Sequence, residues 1–321
     1  MNCVGFDYFR QHLFNEKISD WGSWGRVFQS IEAFEPIIKR IFAKHSLPYK
    51  KTENCTPGTN AVFKVTVNKC DSLIVKIFAP KESGMDTESD FNTELFGLRH
   101  ADRAGVSAPR LIASGEIEDR YTFKYMVMEY IEGKALGQLE ASLSEDEKYK
   151  IGCRLRELTE KLNVPCEKFN NIDIVSRGIK NSRWNCFPTA FLEERADFIK
   201  NYNTDDGVFV HGDLNPDNVL VGVNNNLFII DFADALTAPA EYELAALICE
   251  LFWFEKSYLK GYFDSFDIDD LTEKCCRAVL VHDFGSGIIK CNFGRPEEIN
   301  SISGLKERIH TAITLGHGLV D

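Results

Sequence analysis

The chain has 321 residues, of which 44% are hydrophobic and 24 are Phe, so it is long and apolar enough to form a core and is not a disordered protein. Lys plus Arg number 37 against 49 Asp plus Glu, and the formal net charge of -12 disfavours nucleic acid and anionic membranes as partners. The same charge favours a cationic substrate, and an acidic surface without a binding role is the alternative.

The sequence carries no targeting signal. Its first residues lack a basic segment that leads into an apolar one, and no stretch approaches the length of about 18 apolar residues that a membrane span needs. The 10 Cys are scattered without a C-x-x-C pair, which argues against a zinc site and for reduced thiols. We therefore expect a cytoplasmic protein without a transmembrane helix.

The first predicted element is a helix. Its apolar residues recur at steps of three and four, at Ile31, Phe34, Ile38, Ile41 and Phe42. Pro36 fits best near the first turn of that helix, and Trp21–Trp24 reads as an irregular lead-in. We expect this N-terminal helical extension, residues 1–45, to serve packing rather than chemistry.

The periodicity changes from about residue 50, where β-branched and aromatic residues predict strands. Residues 61–67 and 72–78 form an expected antiparallel hairpin. A helix follows over 86–104, and strand character returns in 108–113 and 121–131. Glu132 and Gly133 mark a joint to the rest of the chain.

After that joint the sequence is mainly helical. Helices are predicted over 145–162, 187–202, 241–254 and 269–282, and a hairpin of residues 218–223 and 227–231 interrupts them. The order predicts an α+β fold in two lobes, a small N-terminal antiparallel sheet with one helix and a larger helical lobe. We place the lobes at 46–131 and 132–321.

The most informative motif is the segment His211-Gly-Asp-Leu-Asn-Pro-Asp-Asn218, followed by Asp231 at the end of an apolar strand. Kinase chemistry needs one carboxylate to orient a hydroxyl and two oxygen ligands for magnesium. Asp213 suits the first role as catalytic base, and Asn218 and Asp231 suit the second. His211, two residues before Asp213, is expected to support the loop.

Lys76 lies in the middle of the apolar strand 72–78, and burying it without a partner is costly. We predict that it contacts the α- and β-phosphates of a nucleotide, steadied by Glu94 on the helix 86–104. Glu88 is a weaker candidate for that partner. A Lys that faces solvent from an edge strand is the alternative.

Two further segments suit a nucleotide. The turn before strand 61–67 contains Gly58, Thr59 and Asn60, and its N–H groups can face phosphate, although an ordinary turn explains it nearly as well. Adenine needs an apolar slot and a backbone edge. The candidates are Met128 beside the slot, the carbonyl of Glu129 and the N–H of Ile131.

These residues together resemble the aminoglycoside phosphotransferase and choline kinase branch of the protein-kinase-like fold. The resemblance rests on the segments 211–220 and 230–235, on 58–63, and on Lys76 and Glu94; it covers about 50–255. It implies two lobes with ATP and Mg²⁺ between them, and the site roles given above. GTP is an alternative donor.

The sequence departs from protein kinases and, in one place, from this branch. His-Gly-Asp is typical of the small-molecule branch, where protein kinases more often have His-Arg-Asp. Asp231-Phe-Ala233 lacks the glycine of protein kinases, and no Ala-Pro-Glu follows at their spacing. Tyr242-Glu-Leu-Ala245 stands where the branch often has Asp-Leu-Ala, so Glu243 is expected to take that supporting role.

The resemblance places the acceptor against late acidic residues of the helical lobe. Candidates are Asp234, Glu241, Glu250, Glu255, Asp264 and Asp267. Carboxylates suit an aminated sugar, and Phe252, Trp253 and Phe254 offer an aromatic box for a quaternary ammonium. Three consecutive aromatics on a helix cannot face one way, so at least two are expected to pack in the core.

The sequence thus predicts an ATP- and Mg²⁺-dependent O-phosphotransferase for a small cationic alcohol. An aminoglycoside-type antibiotic is the first choice, which would make the protein a resistance enzyme. The alternatives are a metabolic kinase for choline, homoserine or a sugar, and a nucleotide-binding pseudokinase.

Overall fold

The computed structural model describes residues 12–69 and 71–320. The chain divides into two compact units. The first takes the chain up to Phe91 together with Pro109–Tyr130, and the second takes Asn92–Ala108 together with the chain from Ile131 on. The assignment of residues 1–45 to an N-terminal extension, 46–131 to the small lobe and 132–321 to the helical lobe stays a prediction.

The first unit is built on an antiparallel sheet of five strands in the order β1-β2-β3-β5-β4. The predicted hairpin is confirmed, with Ala61 opposite Ile77 and Thr66 opposite Ser72. The elements of this unit are α1 (Trp21–Val27), α2 (Ile31–Lys44), β1 (Lys51–Asn54), β2 (Ala61–Thr66), β3 (Ser72–Ile77), β4 (Leu111–Glu118) and β5 (Thr122–Glu129). Helix α3 (Thr87–Ala104) follows β3 and continues from the first unit into the second.

The N-terminal helices complete the core of the first unit. The apolar face of α2 is buried, and the Phe34 ring lies 5.7 Å from that of Phe63 and 5.9 Å from that of Phe123 on the sheet. Burial of a Phe side chain contributes about 1.5–3 kcal/mol relative to its exposure. The predicted packing role of this segment is therefore confirmed for its described residues.

Two expectations for this segment are wrong. Residues 21–24 are not irregular, because Asp20 and Ser23 form a capping box that starts α1. Pro36 lies beyond the first turn, since Ser30 caps α2 and makes Pro36 its sixth residue. Pro36 lacks the N–H that would reach the Glu32 carbonyl, and burial of the apolar residues that follow it offsets that loss.

The second unit is mainly helical. Its two small sheets are β6-β8-β9 and β7-β10, both antiparallel. Its helices are α4 (Leu136–Leu139), α5 (Glu145–Leu162), α6 (Ile174–Lys180), α7 (Thr189–Lys200), α8 (Leu244–Ala246), α9 (Lys256–Phe263), α10 (Ile268–Val281), α11 (Gly285–Asn292) and α12 (Ile302–Leu315). Its strands are β6 (Gly133–Ala135), β7 (Val208–Val210), β8 (Val219–Gly222), β9 (Leu227–Ile229) and β10 (Leu236–Ala238).

The predicted helix over 241–254 is confirmed as far as Leu251, but it changes type along its length and ends earlier than expected. A 3-10 turn over Ala240–Glu243 leads into α8 and then a π-helical segment, Leu247–Leu251. Phe252 and Phe254 are both buried, whereas Trp253 is 54% exposed, which confirms that two of the three aromatics pack inside. Residues two apart on an α-helix face opposite ways, so burying both Phe side chains requires the helix to end. The chain does so with positive φ angles of 43° at Trp253 and 63° at Phe254.

None of the helices among the residues that the structure describes is both long and apolar enough to span a membrane.

Candidate active site

The loop of residues 211–218 connects β7 to β8 in the second unit. Asn215 shapes it, because its side-chain oxygen accepts hydrogen bonds from the N–H groups of Asp217 at 2.9 Å and Asn218 at 3.2 Å. This arrangement is an Asx turn, which Asn-Pro segments favour. The Asn215 amide nitrogen donates to Oδ1 of Asp213 at 3.1 Å, so one residue both bends the loop and orients the Asp213 carboxyl.

The buried ring of His211 connects this loop to the following strand. Its Nδ1 accepts a hydrogen bond from the Asp213 N–H at 3.3 Å, and its Nε2 lies 3.0 Å from the Ile230 carbonyl oxygen. A backbone N–H only donates and a carbonyl only accepts, so the ring is the neutral tautomer with its proton on Nε2. Both nitrogens bind the backbone, and the ring thereby connects the loop that carries Asp213 to the strand that precedes Asp231.

Glu243 anchors the start of the same loop. This buried carboxylate accepts hydrogen bonds from the N–H of His211 at 2.6 Å, from that of Gly212 at 3.3 Å and from the Asn163 amide at 3.4 Å. Burial raises the pKa of Glu243 to about 7, and these three donors oppose that rise. The two backbone bonds place the supporting carboxylate where the sequence comparison with Asp-Leu-Ala expected one.

Only glycine fits at position 212. Its φ is 80°, in the left-handed region, and a β-carbon there would collide with the carbonyl oxygen of Asp234. The close approach brings the backbone of residue 234 against the turn that precedes Asp213. The glycine of the His-Gly-Asp motif is thus explained by packing of the loop against the segment that follows β9.

The three residues of the predicted constellation meet in the second unit. The Asn218 amide nitrogen donates to the Asp213 carbonyl at 2.8 Å and to its Oδ2 at 3.1 Å. The Ile230 N–H donates to the Asn218 carbonyl at 3.0 Å, and Asp231 follows directly with a φ of 64°. The backbone of residue 230 therefore links both predicted metal ligands to the loop that carries Asp213.

The site is strongly acidic. Burial, together with the charges of Asp234, Glu250 and Asp231, raises the pKa of Asp213 to about 8, and the hydrogen bond from Asn215 opposes the shift. Burial also raises the pKa of Glu250 to about 7. So many carboxyl groups in a desolvated space are stable as anions only when cations accompany them.

The oxygen atoms present suit magnesium. Asn218 directs its amide nitrogen at Asp213, which leaves its amide oxygen, and Asp231 supplies a carboxylate, for a hard cation. Among residues 12–69 and 71–320 no group of three or more His, Cys, Asp or Glu side chains is arranged to hold a metal alone. Mg²⁺ usually takes one or two protein ligands and completes its shell with phosphate and water.

Two of the predicted acceptor residues are engaged by internal partners. Glu241 pairs with Arg277 at 3.0 Å and accepts a hydrogen bond from the Tyr202 hydroxyl at 2.7 Å. Glu255 receives the Lys148 ammonium group at 2.6 Å. Of the six residues proposed for the acceptor, Asp234 and Glu250 are the ones whose charges raise the pKa of Asp213.

Lys76 and Glu94 are both buried, with 4% and 1% of their surface exposed. Lys76 lies on β3, which is paired with β2 on one side and β5 on the other, so it is not an edge residue that faces solvent. Glu94 lies on the part of α3 that belongs to the second unit. Glu88, the weaker candidate, pairs with Lys124 of β5 at 2.9 Å.

The predicted phosphate loop joins β1 to β2. Gly58 and Thr59 are exposed, and a β-carbon at Gly58 would meet only open space. Asn60 differs, because its buried side chain accepts a hydrogen bond from the Ala79 N–H at 3.2 Å. The side-chain oxygen of Asn60 is thereby used inside the first unit.

The predicted adenine segment ends β5. Met128 is buried with 6% exposure, Glu129 is the last residue of the strand, and Ile131 begins the second part of the second unit. Glu129 donates its N–H to the Arg110 carbonyl at 2.9 Å, which fixes the strand end.

Sequence reasoning missed Asn215 and Asn163. Asn215 carried a signal, since Asn before Pro favours a turn whose side chain bonds to the backbone two residues on. Asn163 carried none, because it ends α5 far from the motif and reaches Glu243 only through the tertiary fold.

An α+β chain with a sheet-based first unit, a helical second unit and this loop is a small-molecule kinase of the kinase-like fold. The model of the phosphotransferase enzyme family (APH) matches residues 57–274, more than half of the chain. The chain therefore belongs to this family, as the resemblance indicated.

Solved structures share the fold at low identity. An amicoumacin kinase in complex with AMP-PNP and Ca²⁺ superimposes with a TM-score of 0.59 at 15% identity, covering 88% of this chain and 94% of that chain. The GDP complex of aminoglycoside 2'-phosphotransferase-IIIa gives a TM-score of 0.56 at 17% identity, covering 87% and 94%. Aminoglycoside phosphotransferase APH(4)-Ia with ADP and hygromycin B gives 0.53 at 15% identity, covering 87% and 98%.

A curated relative matches a shorter segment. A probable ketoamine kinase of Staphylococcus aureus (strain NCTC 8325 / PS 47) is 42% identical over 76 residues, which are 21% of this chain and 25% of the relative. The match thus spans about a quarter of the length of that relative.

The raised pKa of Asp213 predicts a pH-dependent stability. The folded protein keeps a proton on Asp213 up to about pH 8, whereas an unfolded Asp releases it near 3.8, so this group contributes stability at low pH that is lost as pH rises through 8. The free energy of unfolding of the wild type, measured with urea in the presence of a metal chelator, should therefore fall as the pH rises, relative to that of Asp213→Asn. The fall should reach up to about 1.4 kcal/mol per pH unit between about pH 5 and 8.

The matched control for that measurement is Asp205→Asn, which changes an exposed carboxylate of the same unit. Its free energy of unfolding should run parallel to that of the wild type across the same range. A constant difference between Asp213→Asn and the wild type would contradict a raised pKa at Asp213.

Proposed function

We propose that this protein transfers the γ-phosphoryl group of ATP to a hydroxyl of a small cationic molecule, with an aminoglycoside-type aminated sugar as the first acceptor class. The observation that carries the proposal is the geometry around Asp213. Its carboxyl is oriented by Asn215 and Asn218, its backbone is fixed by His211, and three further carboxyl groups raise its pKa.

Asp213 is the proposed catalytic base. Its carboxylate accepts the hydrogen bond of the acceptor hydroxyl, aims the oxygen at the γ-phosphorus and takes the proton as the new O–P bond forms and the bond from the γ-phosphorus to the bridging oxygen breaks, which releases ADP. Asn218 and Asp231 are the proposed ligands of Mg²⁺, which when bound neutralises charge on the phosphates. A cation next to Asp213 lowers the pKa of its carboxyl, so bound Mg²⁺ and an ammonium group of the acceptor would favour the basic form.

The donor is proposed to bind Lys76 through its phosphates, with Glu94 as the supporting carboxylate, and the backbone of residues 129–131 through its adenine beside Met128. The exposed backbone of residues 58–60 is the proposed phosphate loop. Complexes of the structural relatives with AMP-PNP, ADP and GDP support a nucleotide donor, and GTP is the alternative to ATP.

The acidic environment supports a cationic acceptor. Asp234 and Glu250 act electrostatically on Asp213, and Glu250 lies in the π-helical segment Leu247–Leu251, a type of irregularity often found at functional sites. An ammonium group of the acceptor would neutralise these charges and hold its hydroxyl near Asp213 through charge-assisted hydrogen bonds.

A second candidate function is phosphorylation of a ketoamine, which the match to the Staphylococcus aureus protein favours. A ketoamine also combines hydroxyls with a basic nitrogen, so the acidic site suits either class. Turnover of ATP should be compared across aminoglycosides, ketoamines, choline, homoserine, neutral sugars and macrolides. Turnover only with uncharged acceptors would contradict the proposed substrate class, and nucleotide binding without any turnover would favour a pseudokinase.

Replacing Asp213 tests the catalytic role. Asp213→Ala should lower the transfer rate by about a hundredfold to ten-thousandfold, the usual contribution of a general base, while the affinity for ATP measured by calorimetry changes little. The matched control is Asp217→Asn, an exposed carboxylate on the same loop, which should keep the wild-type rate. Transfer at the wild-type rate by folded Asp213→Ala would refute the role, and loss of the fold would make Asp213 a structural residue.

Replacing Glu250 tests the charge of the acceptor. Glu250→Gln keeps the size of the side chain and removes its charge, so the KM of a cationic acceptor should rise about tenfold, the loss of about 1.4 kcal/mol of charge-assisted binding. The KM of an uncharged acceptor of similar size should stay the same. Glu255→Gln, whose carboxylate already pairs with Lys148, should show no such difference; equal effects of Glu250→Gln on both acceptors would count against a cation at this position.

A further inference from the structure

Trp24 connects the N-terminal helix α1 to the loop between β1 and β2. Its side chain is fully buried, and its Nε1–H donates a hydrogen bond to the Thr59 carbonyl oxygen at 2.9 Å. Both residues belong to the first unit. Trp24 precedes the segment 57–274 that the family model matches, so the contact comes from outside the matched region.

The indole N–H of Trp24 is held in a fixed position. The Asp20 side chain accepts a hydrogen bond from the Ser23 N–H at 2.7 Å as part of the capping box that starts α1. The Trp24 ring packs edge-on against Phe34, with centroids 5.8 Å apart, inside the core of the unit. The indole N–H therefore has little freedom to turn away from the loop.

The rest of the loop has few internal contacts to fix it. Its two ends are tied by the Cys55 N–H, which donates to the Val62 carbonyl at 3.4 Å, and by the Asn60 side chain, which accepts from the Ala79 N–H at 3.2 Å. Between these ties residues 56–59 are exposed. The indole bond to Thr59 lies next to the most exposed part of the loop.

That bond also sets the direction of a backbone donor. The Thr59 carbonyl and the Asn60 N–H belong to one planar peptide unit and point in opposite directions. Because the carbonyl points at the buried indole, the Asn60 N–H points away from it. A row of outward N–H groups is what an anion such as a phosphate requires.

We propose that Trp24 is a positioning residue for the nucleotide: by holding the Thr59 carbonyl it directs the Asn60 N–H toward the phosphates. The inference depends on the proposed function of this loop, and it assigns the N-terminal segment a part in donor binding in addition to packing. It specifies that Trp24 acts on the phosphates of the donor and not on its nucleoside.

The test compares Trp24→Phe with Tyr121→Phe in the full chain. Each variant keeps an aromatic ring and removes one buried hydrogen-bonding group; the Tyr121 hydroxyl accepts from the Ile18 N–H at 2.8 Å and holds the same segment away from the loop. Dissociation constants for ATP and for adenosine are measured by calorimetry, together with KM for ATP and kcat.

Trp24→Phe should weaken ATP binding about threefold to tenfold, the effect of one misplaced neutral hydrogen-bonding group, and leave adenosine binding unchanged. KM for ATP should rise by the same factor while kcat at saturating ATP is retained. Tyr121→Phe should leave both affinities unchanged. If Trp24→Phe binds ATP like the control, or loses ATP and adenosine affinity equally, the proposal is overturned.

A second variant separates the loss of the indole N–H from any misfolding of Trp24→Phe. Benzothienylalanine at position 24 has nearly the shape of Trp without its N–H, and it should reproduce the selective loss of ATP affinity in a fully folded protein. Wild-type binding of this analogue-containing protein to ATP would overturn the proposal. A wild-type protein that binds no ATP would instead refute the proposed function, so the two failures are distinct.

Discussion

The imidazole of His211 is the constraint on which the candidate site depends. One ring nitrogen accepts from the Asp213 N–H and the other donates to the Ile230 carbonyl, so a single neutral side chain fixes the distance between the proposed base and the strand that precedes Asp231. The ring can do this only as the Nε2–H tautomer. Glu243 then fixes the ring's own backbone and that of Gly212, which explains why His, Gly and Asp occur in immediate succession.

This rigid arrangement concentrates negative charge. Asp213 is buried near Asp231, Asp234 and Glu250, and both the burial and these charges raise the pKa of its carboxyl. A site of this kind is incomplete without cations, and the proposed reactants supply them as Mg²⁺ with the nucleotide and as an ammonium group on the acceptor. A bound Mg²⁺ and an ammonium group would both favour the ionised form of Asp213, which ties the proposed catalysis to binding of the reactants.

The sequence predicted those parts of the fold that local patterns encode. Alternating β-branched residues predicted the β2–β3 hairpin, and apolar residues at steps of three and four predicted α2. The spacing of Asp213, Asn218 and Asp231 predicted that the three residues lie close together, because a short loop and a hairpin connect them. The failures had tertiary causes. The helix predicted over 241–254 ends early, where Phe252 and Phe254 are both buried. The side-chain partners of Asn60 and Glu241, Ala79 and Arg277, are far away in the sequence and follow only from the tertiary fold.

The central claim, that the His211 ring holds Asp213 in place for phosphoryl transfer, is tested most directly by a rapid-quench measurement. The single-turnover rate of transfer from ATP to an acceptor that the wild type phosphorylates would be compared between the wild type and folded His211→Phe, with both substrates saturating. We predict a rate lower by about a hundredfold, the cost of a displacement of about 1 Å at a reacting group, with ATP affinity retained. An unchanged rate in the folded variant would contradict the account.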